Sequence, residues 1–175
     1  MNRYLSNPLL KVPLRYGVIG GAIGALLFMI LYYMGENPLV FGRPWDFGFL
    51  LIPIMIFFGM KDFKVNHNQG ELRFWQGMTA GFLVYTTIAI ISALFIFAFL
   101  SWWDESVLEG YILDRLQLLQ ESQEQFTQAL GEDLYHQQIS KTKQTTASVL
   151  AWDVFWKKLS IGLFLTIIIA VILRK

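Results

Sequence analysis

The sequence predicts an all-α integral membrane protein: four transmembrane helices with an extramembrane, hairpin-like helical insert between helices three and four. Hydrophobic residues make up 55% of the chain and charged residues 15%, and the mean hydropathy is +0.47. Soluble domains carry about 25% charged residues. The charges are also bunched between long apolar runs, which indicates that lipid surrounds much of a single membrane domain over residues 1–175.

The first apolar run predicts a span over residues 16–34, which contain no charged residue. At 1.5 Å per residue this segment covers roughly 28 Å, close to the hydrocarbon core of about 30 Å. Three more apolar runs follow it. It is not followed by a small-residue cleavage site and a polar mature chain. The segment is therefore interpreted as a retained span and not as a signal peptide.

The second span, predicted at residues 45–60, is the least regular of the four. Only residues 47–60 are free of charge, and Pro53 stands in their middle. The segment reaches spanning length if Arg43 and Asp46 lie at the interface and pair one turn apart. The alternative is a re-entrant segment that does not cross.

The third and fourth spans are predicted at residues 74–103 and 154–173. The third is longer than a bilayer needs, so it must tilt or protrude. Trp102 and Trp103 mark its far end, because amphipathic rings prefer the headgroup level. The fourth ends at the basic residue Arg174.

The insert, residues 104–153, contains nine acidic residues and three basic ones. Its apolar residues recur at steps of three and four, which predicts an amphipathic helix that turns near Gly131. This stripe could close on itself as a hairpin, lie on the membrane surface or dock a partner. The acidic excess argues against binding to anionic lipid. The candidate partner surface consists of Ile112, Leu116, Leu119, Phe126 and Leu130.

Lysine and arginine in the short loops predict the orientation. The arm before the first span, the loop after the second span and the tail are basic, so both termini should be cytoplasmic and residues 104–153 should face outward. Lys157 and Lys158, at the outer edge of the fourth span, oppose this count and must extend their ammonium groups towards water.

Small residues predict where helices pack closely. Glycines four residues apart on one helix face let a second backbone approach, which favours van der Waals packing in lipid. The first span is expected to pack against the third; a homo-oligomer or a partner helix is the alternative. The packing residues are Gly17, Gly20, Gly21, Gly24, Gly77 and Gly81.

The entrance to the third span contains the pattern Gly-x-x-x-Phe-x-Gln-Gly-x-x-x-Gly, formed by Gly70, Phe74, Gln76, Gly77 and Gly81. This pattern and the layout of the chain resemble a bacterial membrane-protein family catalogued as domain of unknown function 4199. The resemblance implies the inner membrane of a Gram-negative bacterium, with residues 104–153 in the periplasm. It implies no activity, because the family has none assigned.

Several function classes are disfavoured by the composition. A net charge of +1 provides no basic face for nucleic acid. The chain has no cysteine, and His67 and His136 lie on opposite predicted sides of the membrane, so no metal or cofactor is expected. The charge-free parts of the four spans, residues 16–34, 47–60, 74–103 and 159–173, contain no ionisable residue of the kind that marks proton relays and ion paths.

The sequence therefore favours a non-enzymatic scaffold or modulatory subunit that acts through helix packing and the acidic insert. Its expected partners are membrane lipid and another membrane protein or a second copy. One alternative is a small transporter or channel subunit, which predicts a hydrated cavity lined by Thr79, Tyr85, Thr86 and Arg43. The other is a lipid-acting enzyme, which predicts a cluster of Arg43, Asp46, Asp104 and Glu105.

Overall fold

The computed structural model describes residues 7–39 and 47–174, and among these residues the regular structure is entirely helical. A π-helical turn, Phe63–His67, continues the second helix. The α-helices are α1 (Pro8–Tyr33), α2 (Phe47–Asp62), α3 (Phe74–Trp102), α4 (Ser106–Glu121), α5 (Gln123–Leu130), α6 (Glu132–Lys143) and α7 (Ala147–Leu173).

Helices α1, α3 and α7 are long and apolar enough to cross a membrane, with 26, 29 and 27 residues. At 1.5 Å per residue each is about 40 Å long, so each exceeds the hydrocarbon core and can extend beyond it. The prediction of a multi-span helical membrane protein is confirmed by these three helices. Within the described residues, helix α2 has 16 residues and is about 24 Å long, which is shorter than the hydrocarbon core.

The first and last helices begin earlier along the chain than the predicted spans at residues 16–34 and 154–173. Helix α1 begins at Pro8, because the Asn7 side chain accepts a hydrogen bond from the Leu9 N–H at 3.0 Å and proline is favoured in the first turn. Helix α7 begins at Ala147, since the Thr146 hydroxyl caps it. Residues 147–153, which were assigned to the insert, therefore belong to the last helix.

Helix α1 runs parallel to α3, whereas α2 and α7 run antiparallel to α3. The parallel direction follows from Gly17 lying beside Thr87 and Phe28 lying beside Phe95, because the residue numbers rise together along the two helices. The antiparallel direction of α7 follows from Ala170 lying beside Gly77 and Tyr85 beside Gly162. The N-terminus of α1 and the C-terminus of α7 consequently share one end of the bundle.

Helices α2 and α3 occupy the middle of the bundle, with α1 and α7 at diagonal corners. Helix α2 contacts all three others. Its residues Ile52, Ile56 and Met60 are completely buried against Val84 and Ile88 of α3. The main apolar core therefore forms where α2 packs against α3, which contributes Ala80, Val84, Tyr85 and Ile88 to it.

A second apolar core lies at the opposite end, where α3 leads into α4. Val107, Leu108 and Tyr111 of α4 pack there against Phe28 of α1 and Phe99 of α3, with Leu39 and Leu150 in the same cluster. Helix α4 is thereby joined to the ends of the long helices.

The segment between α3 and α7 is a hairpin of three helices, named here the α4–α6 hairpin, where the sequence predicted one turned helix. The chain reverses at Gly131, whose φ of +89° suits glycine because it lacks a Cβ. Helix α6 returns along α5 and α4, and the rings of Phe126 and Tyr135 lie 6.0 Å apart across the turn.

Candidate functional site

The glycine and glutamine residues at the entrance to α3 have structural roles. The Gln76 side-chain oxygen accepts hydrogen bonds from the Arg73 N–H at 3.0 Å and from the Asn68 side-chain amide at 3.2 Å. These bonds cap the helix and fix the preceding loop. Gly70 adopts a φ of +83°, which closes that loop. Phe74 begins the helix and is partly exposed.

Gly77 and Gly81 lie against α7, whereas the sequence suggested contact with the first span. A Cβ at Gly77 would lie 3.0 Å from the Ala170 Cβ, and one at Gly81 would overlap Thr166. Thr166 is fully buried, and its hydroxyl has no hydrogen-bond partner within the described part of the chain. The backbones of α3 and α7 must therefore be close at these positions, and each small residue is required by its neighbour.

The glycines of α1 also face other helices of the same chain. Cβ atoms at Gly17 and Gly21 would lie 2.6 Å and 2.8 Å from side-chain atoms of Thr87 and Ile91 on α3. One at Gly20 would meet both Ile88 of α3 and Met55 of α2. At Gly24 the nearest atom, on Leu51, is 3.9 Å away, so this position has room for a methyl group.

The predicted partner surface on the hairpin is half-buried and not open. Ile112, Leu116, Leu119 and Phe126 are each partly covered, and the side chain of Leu130 lies outside what is described. The fully buried positions are instead Val107, Leu108 and Tyr111, which lie earlier along α4. The face of α4 that remains open carries Glu109 and Leu113, and Leu113 is 66% exposed.

Polar contacts tie the hairpin to the first helix. The Tyr32 hydroxyl donates to one Asp104 carboxylate oxygen at 2.7 Å, and Ser106 donates to the other from its hydroxyl at 2.6 Å and its N–H at 2.9 Å. The hydrogen bonds from Ser106 and Tyr32 hold the pKa of the Asp104 carboxyl below its ordinary value. The Asn37 side-chain amide donates to the Val107 carbonyl at 3.3 Å.

A lysine contact inside the bundle was not foreseen. The Lys158 ammonium of α7 donates a hydrogen bond of 2.7 Å to the hydroxyl of Ser92 on α3, and Ser92 is only 5% exposed. The neighbouring Lys157 forms an ion pair of 2.5 Å with Asp153 one turn earlier. The sequence predicted that both ammonium groups extend towards water. The charge pattern alone does not show which face of α7 contacts Ser92.

Of the residues proposed for a transport cavity, Thr79, Tyr85 and Thr86 are packed or bonded within the helices, and Arg43 lies outside the described residues. The Thr79 hydroxyl donates to the Trp75 carbonyl of its own helix at 2.9 Å. The Tyr85 ring is buried against Gly162. The Thr86 hydroxyl is buried without a partner in the described part of the chain.

The residues proposed for an acid–base cluster are not brought together by any described contact. Arg43 and Asp46 lie outside the described residues. Asp104 is bonded to Tyr32 and Ser106, and Glu105 is exposed at the start of α4. Among the described residues no group of three or more His, Cys, Asp or Glu side chains could hold a metal ion.

Comparison with known proteins gives one match. The family model described as "Protein of unknown function (DUF4199)" matches residues 15–175. No curated protein and no solved structure matches the chain. The match includes the whole entrance to α3, so the resemblance inferred from Gly70, Phe74, Gln76, Gly77 and Gly81 is confirmed.

Proposed function

The chain belongs to the DUF4199 family of proteins of unknown function, and from that premise we propose that it is a non-enzymatic membrane scaffold or modulatory subunit. In this proposal the membrane helices hold the α4–α6 hairpin at the bilayer surface, where a partner protein binds its open face. The observation that carries the proposal is the apolar cluster at the hairpin base, which joins α4 to α1, α3 and α7.

The packing of the glycines supports a scaffold whose membrane part is closed on itself. Gly17, Gly20 and Gly21 meet α3 and α2, and Gly77 and Gly81 meet α7. A second copy would have to displace these contacts in order to use the same faces. The hairpin is therefore the favoured contact surface, and its open face on α4 includes Glu109 and Leu113.

The proposal includes four membrane crossings. Helix α2 and its π-helical turn form a continuous helical segment over residues 47–67, which is about as long as a hydrocarbon core needs. Its antiparallel course between α1 and α3 supports a crossing. The basic side chains at the opposite end from the hairpin, including Lys11, Arg15 and Arg73, favour an arrangement with both termini cytoplasmic and the hairpin periplasmic.

Cysteine labelling tests this topology, because the chain contains no cysteine of its own. We expect Gln120→Cys, in the hairpin, to react with a membrane-impermeant maleimide in cells whose outer membrane has been permeabilised. Asn66→Cys, in the π-helical turn, should react only after the inner membrane is also opened. Equal labelling of the two variants before that step would contradict four crossings with this orientation.

Site-specific photo-crosslinking tests the scaffold role. A photoreactive side chain at Leu113 should give a discrete protein adduct in native membranes, whereas one at Leu94, exposed on the membrane face of α3, should give lipid adducts. Leu113→Asp should reduce co-purification of the same protein. Solute movement or turnover by the purified protein alone in liposomes would contradict a non-enzymatic scaffold.

A further inference from the structure

Helix α1 presents an exposed apolar face that ends in two basic residues. The exposed residues of this face recur at steps of three or four and are Leu26, Ala22, Ile19, Arg15 and Lys11. One side of the helix therefore carries apolar groups over most of its length and positive charges near its N-terminus.

Helix α2 carries the same arrangement. Its exposed residues recur at the same steps and are Leu50, Ile54, Phe58 and Lys61. The Lys61 ammonium lies over the Phe57 ring, 5.8 Å from its centroid, so it stays at the edge of the apolar face. A basic group again ends a face that is otherwise apolar.

The contacts between α1 and α2 place these two basic ends at the same level. Each step of four residues back along α1 matches a step of four forward along α2, as in the pairs Gly24 with Leu51, Gly20 with Met55, and Tyr16 with Gly59. Continuing this register puts Lys61 within about 2 Å of Arg15 along the bundle axis. Closely packed helices are about 8–10 Å apart. Lys11, Arg15 and Lys61 therefore form one surface, named here the α1–α2 basic patch.

The length of α1 places this patch at a membrane boundary. Arg15 lies eighteen residues before Tyr33, or about 27 Å along the helix axis, and the hydrocarbon core is about 30 Å thick. Tyr33 is exposed and, as an amphipathic ring, prefers the headgroup level. With Tyr33 at one boundary, Arg15 lies at the other, among the lipid headgroups and next to the acyl chains that cover Ile19 and Leu26.

The α1–α2 basic patch has a net positive charge. Among the described residues, Asp62 is the carboxylate at this level, and it accepts a hydrogen bond from the Asn66 side-chain amide at 2.6 Å. Lys64 is turned towards α7, where its ammonium donates to a backbone carbonyl at 3.1 Å. The three exposed cations of the patch and the one carboxylate therefore leave a charge of +2 on the membrane-facing side of α1 and α2.

We propose that the α1–α2 basic patch binds anionic phospholipid headgroups, so that the protein retains lipids of net negative charge around α1 and α2. The charge of the patch complements a phosphate diester that has no compensating ammonium group. The exposed apolar faces next to the patch complement the acyl chains of the same molecule, which favours a lipid over a soluble anion. The proposal does not depend on the scaffold role of the hairpin, which lies at the opposite end of the bundle.

Native mass spectrometry of the detergent-solubilised full chain tests the patch with two lipids of identical acyl chains. Phosphatidylglycerol has a net negative charge, whereas phosphatidylethanolamine has the same phosphate but no net charge. Each lysine or arginine near a lipid surface contributes about a factor of five in affinity. A net charge of +2 should therefore give about a 25-fold preference for phosphatidylglycerol. Inorganic phosphate, which has no acyl chain, should not displace the bound lipid.

The variant Lys11→Gln with Lys61→Gln removes one cation from each helix and should reduce this preference by about 25-fold, because one cation and Asp62 then remain. The matched control is Lys141→Gln with Lys143→Gln, the same substitutions at two exposed lysines of α6, and it should keep the preference. Lys11→Arg with Lys61→Arg keeps both charges and should also keep the preference. Thermal unfolding in the same detergent verifies that each variant is folded.

Equal affinity of the wild type for the two lipids would overturn the proposal, and so would an unchanged preference in Lys11→Gln with Lys61→Gln. An equal loss of preference in the α6 control would also overturn it, because the overall charge of the protein and not the patch would then determine binding. Displacement of the lipid by inorganic phosphate would contradict a lipid site, since the patch would then select a free anion.

Discussion

Alanine at Gly162 is expected to destabilise the folded protein by about 1–3 kcal/mol, the usual cost of forcing extra atoms into a packed core. The added methyl group would overlap the Cβ and ring of Tyr85. That side chain is 2% exposed and fills the space between α3 and α7, so it has no open direction in which to move. Thermal unfolding in a single detergent measures the loss.

Gly24→Ala is the matched control for this substitution. Its nearest neighbour, a methyl group of Leu51, is 3.9 Å away, which is an ordinary contact distance. We expect no loss of stability there, because alanine is also the better helix former. Equal losses in the two variants would show that helix propensity or the detergent, and not the α3–α7 contact, determines the result.

The same contact can be tested by rescue. Gly81→Ala alone should be destabilising because its Cβ would overlap Thr166, whereas Gly81→Ala combined with Thr166→Ala removes the atoms responsible. The double variant should recover most of the lost stability. A double variant that loses the sum of both single effects would contradict the packing described for α3 and α7.

Aspartate at Leu108 is expected to cost about 3–5 kcal/mol and to separate the hairpin from the bundle. Leu108 is 7% exposed, within the cluster formed with Phe99 and Leu150, so the substitution removes apolar contacts and buries a carboxylate. Limited proteolysis should cut α4 or the α3–α4 junction much faster than in the wild type. Thermal unfolding should show a lower midpoint.

Leu113→Asp makes the same chemical change five residues later on the same helix. Because Leu113 is 66% exposed, its proteolysis pattern and unfolding midpoint should match those of the wild type. Comparing the two variants therefore distinguishes the contribution of the hairpin base from that of its open face. Similar cleavage of both variants would mean that α4 is not held by the cluster at its base.

The long apolar helices could be predicted from the sequence because their signal is local. Helices α1, α3 and α7 each contain a charge-free run, and α3 was placed within one residue of its observed end at Trp102. The start of α1 was missed because Lys11 and Arg15 ended the apolar run, although neither residue disfavours a helix. Pro53 lies inside α2, and the prediction that the second span is the irregular one stays a prediction.

The contacts between helices could not be predicted, because they depend on register. Nothing local pairs Gly77 with Ala170 or Lys158 with Ser92, since each partner lies on a distant helix. The hairpin shows the same limit. Its turn at Gly131 followed from a local signal, but the buried face of α4 depends on where α1 and α3 end.

The register between helices also has a consequence for how the bundle meets the bilayer. Arg15 lies just before Gly17, beside Val84, whereas Lys158 lies one turn before Gly162, beside Tyr85. Projected onto α3, the two cations are only about five residues, or roughly 8 Å, apart along the bundle axis. An upright bundle would therefore place one of these charges deep in the hydrocarbon.

A tilted bundle resolves this conflict, because α1 and α7 occupy diagonal corners about 14 Å apart. An inclination of about 30°, within the observed range for membrane helices, raises one corner relative to the other by about 7 Å. The long side chain of Arg15 can extend the separation further by reaching towards water, whereas the Lys158 ammonium is held at Ser92. From the positions of Arg15 and Lys158 we therefore expect an oblique orientation, in which α1 and α7 enter the two leaflets at different heights.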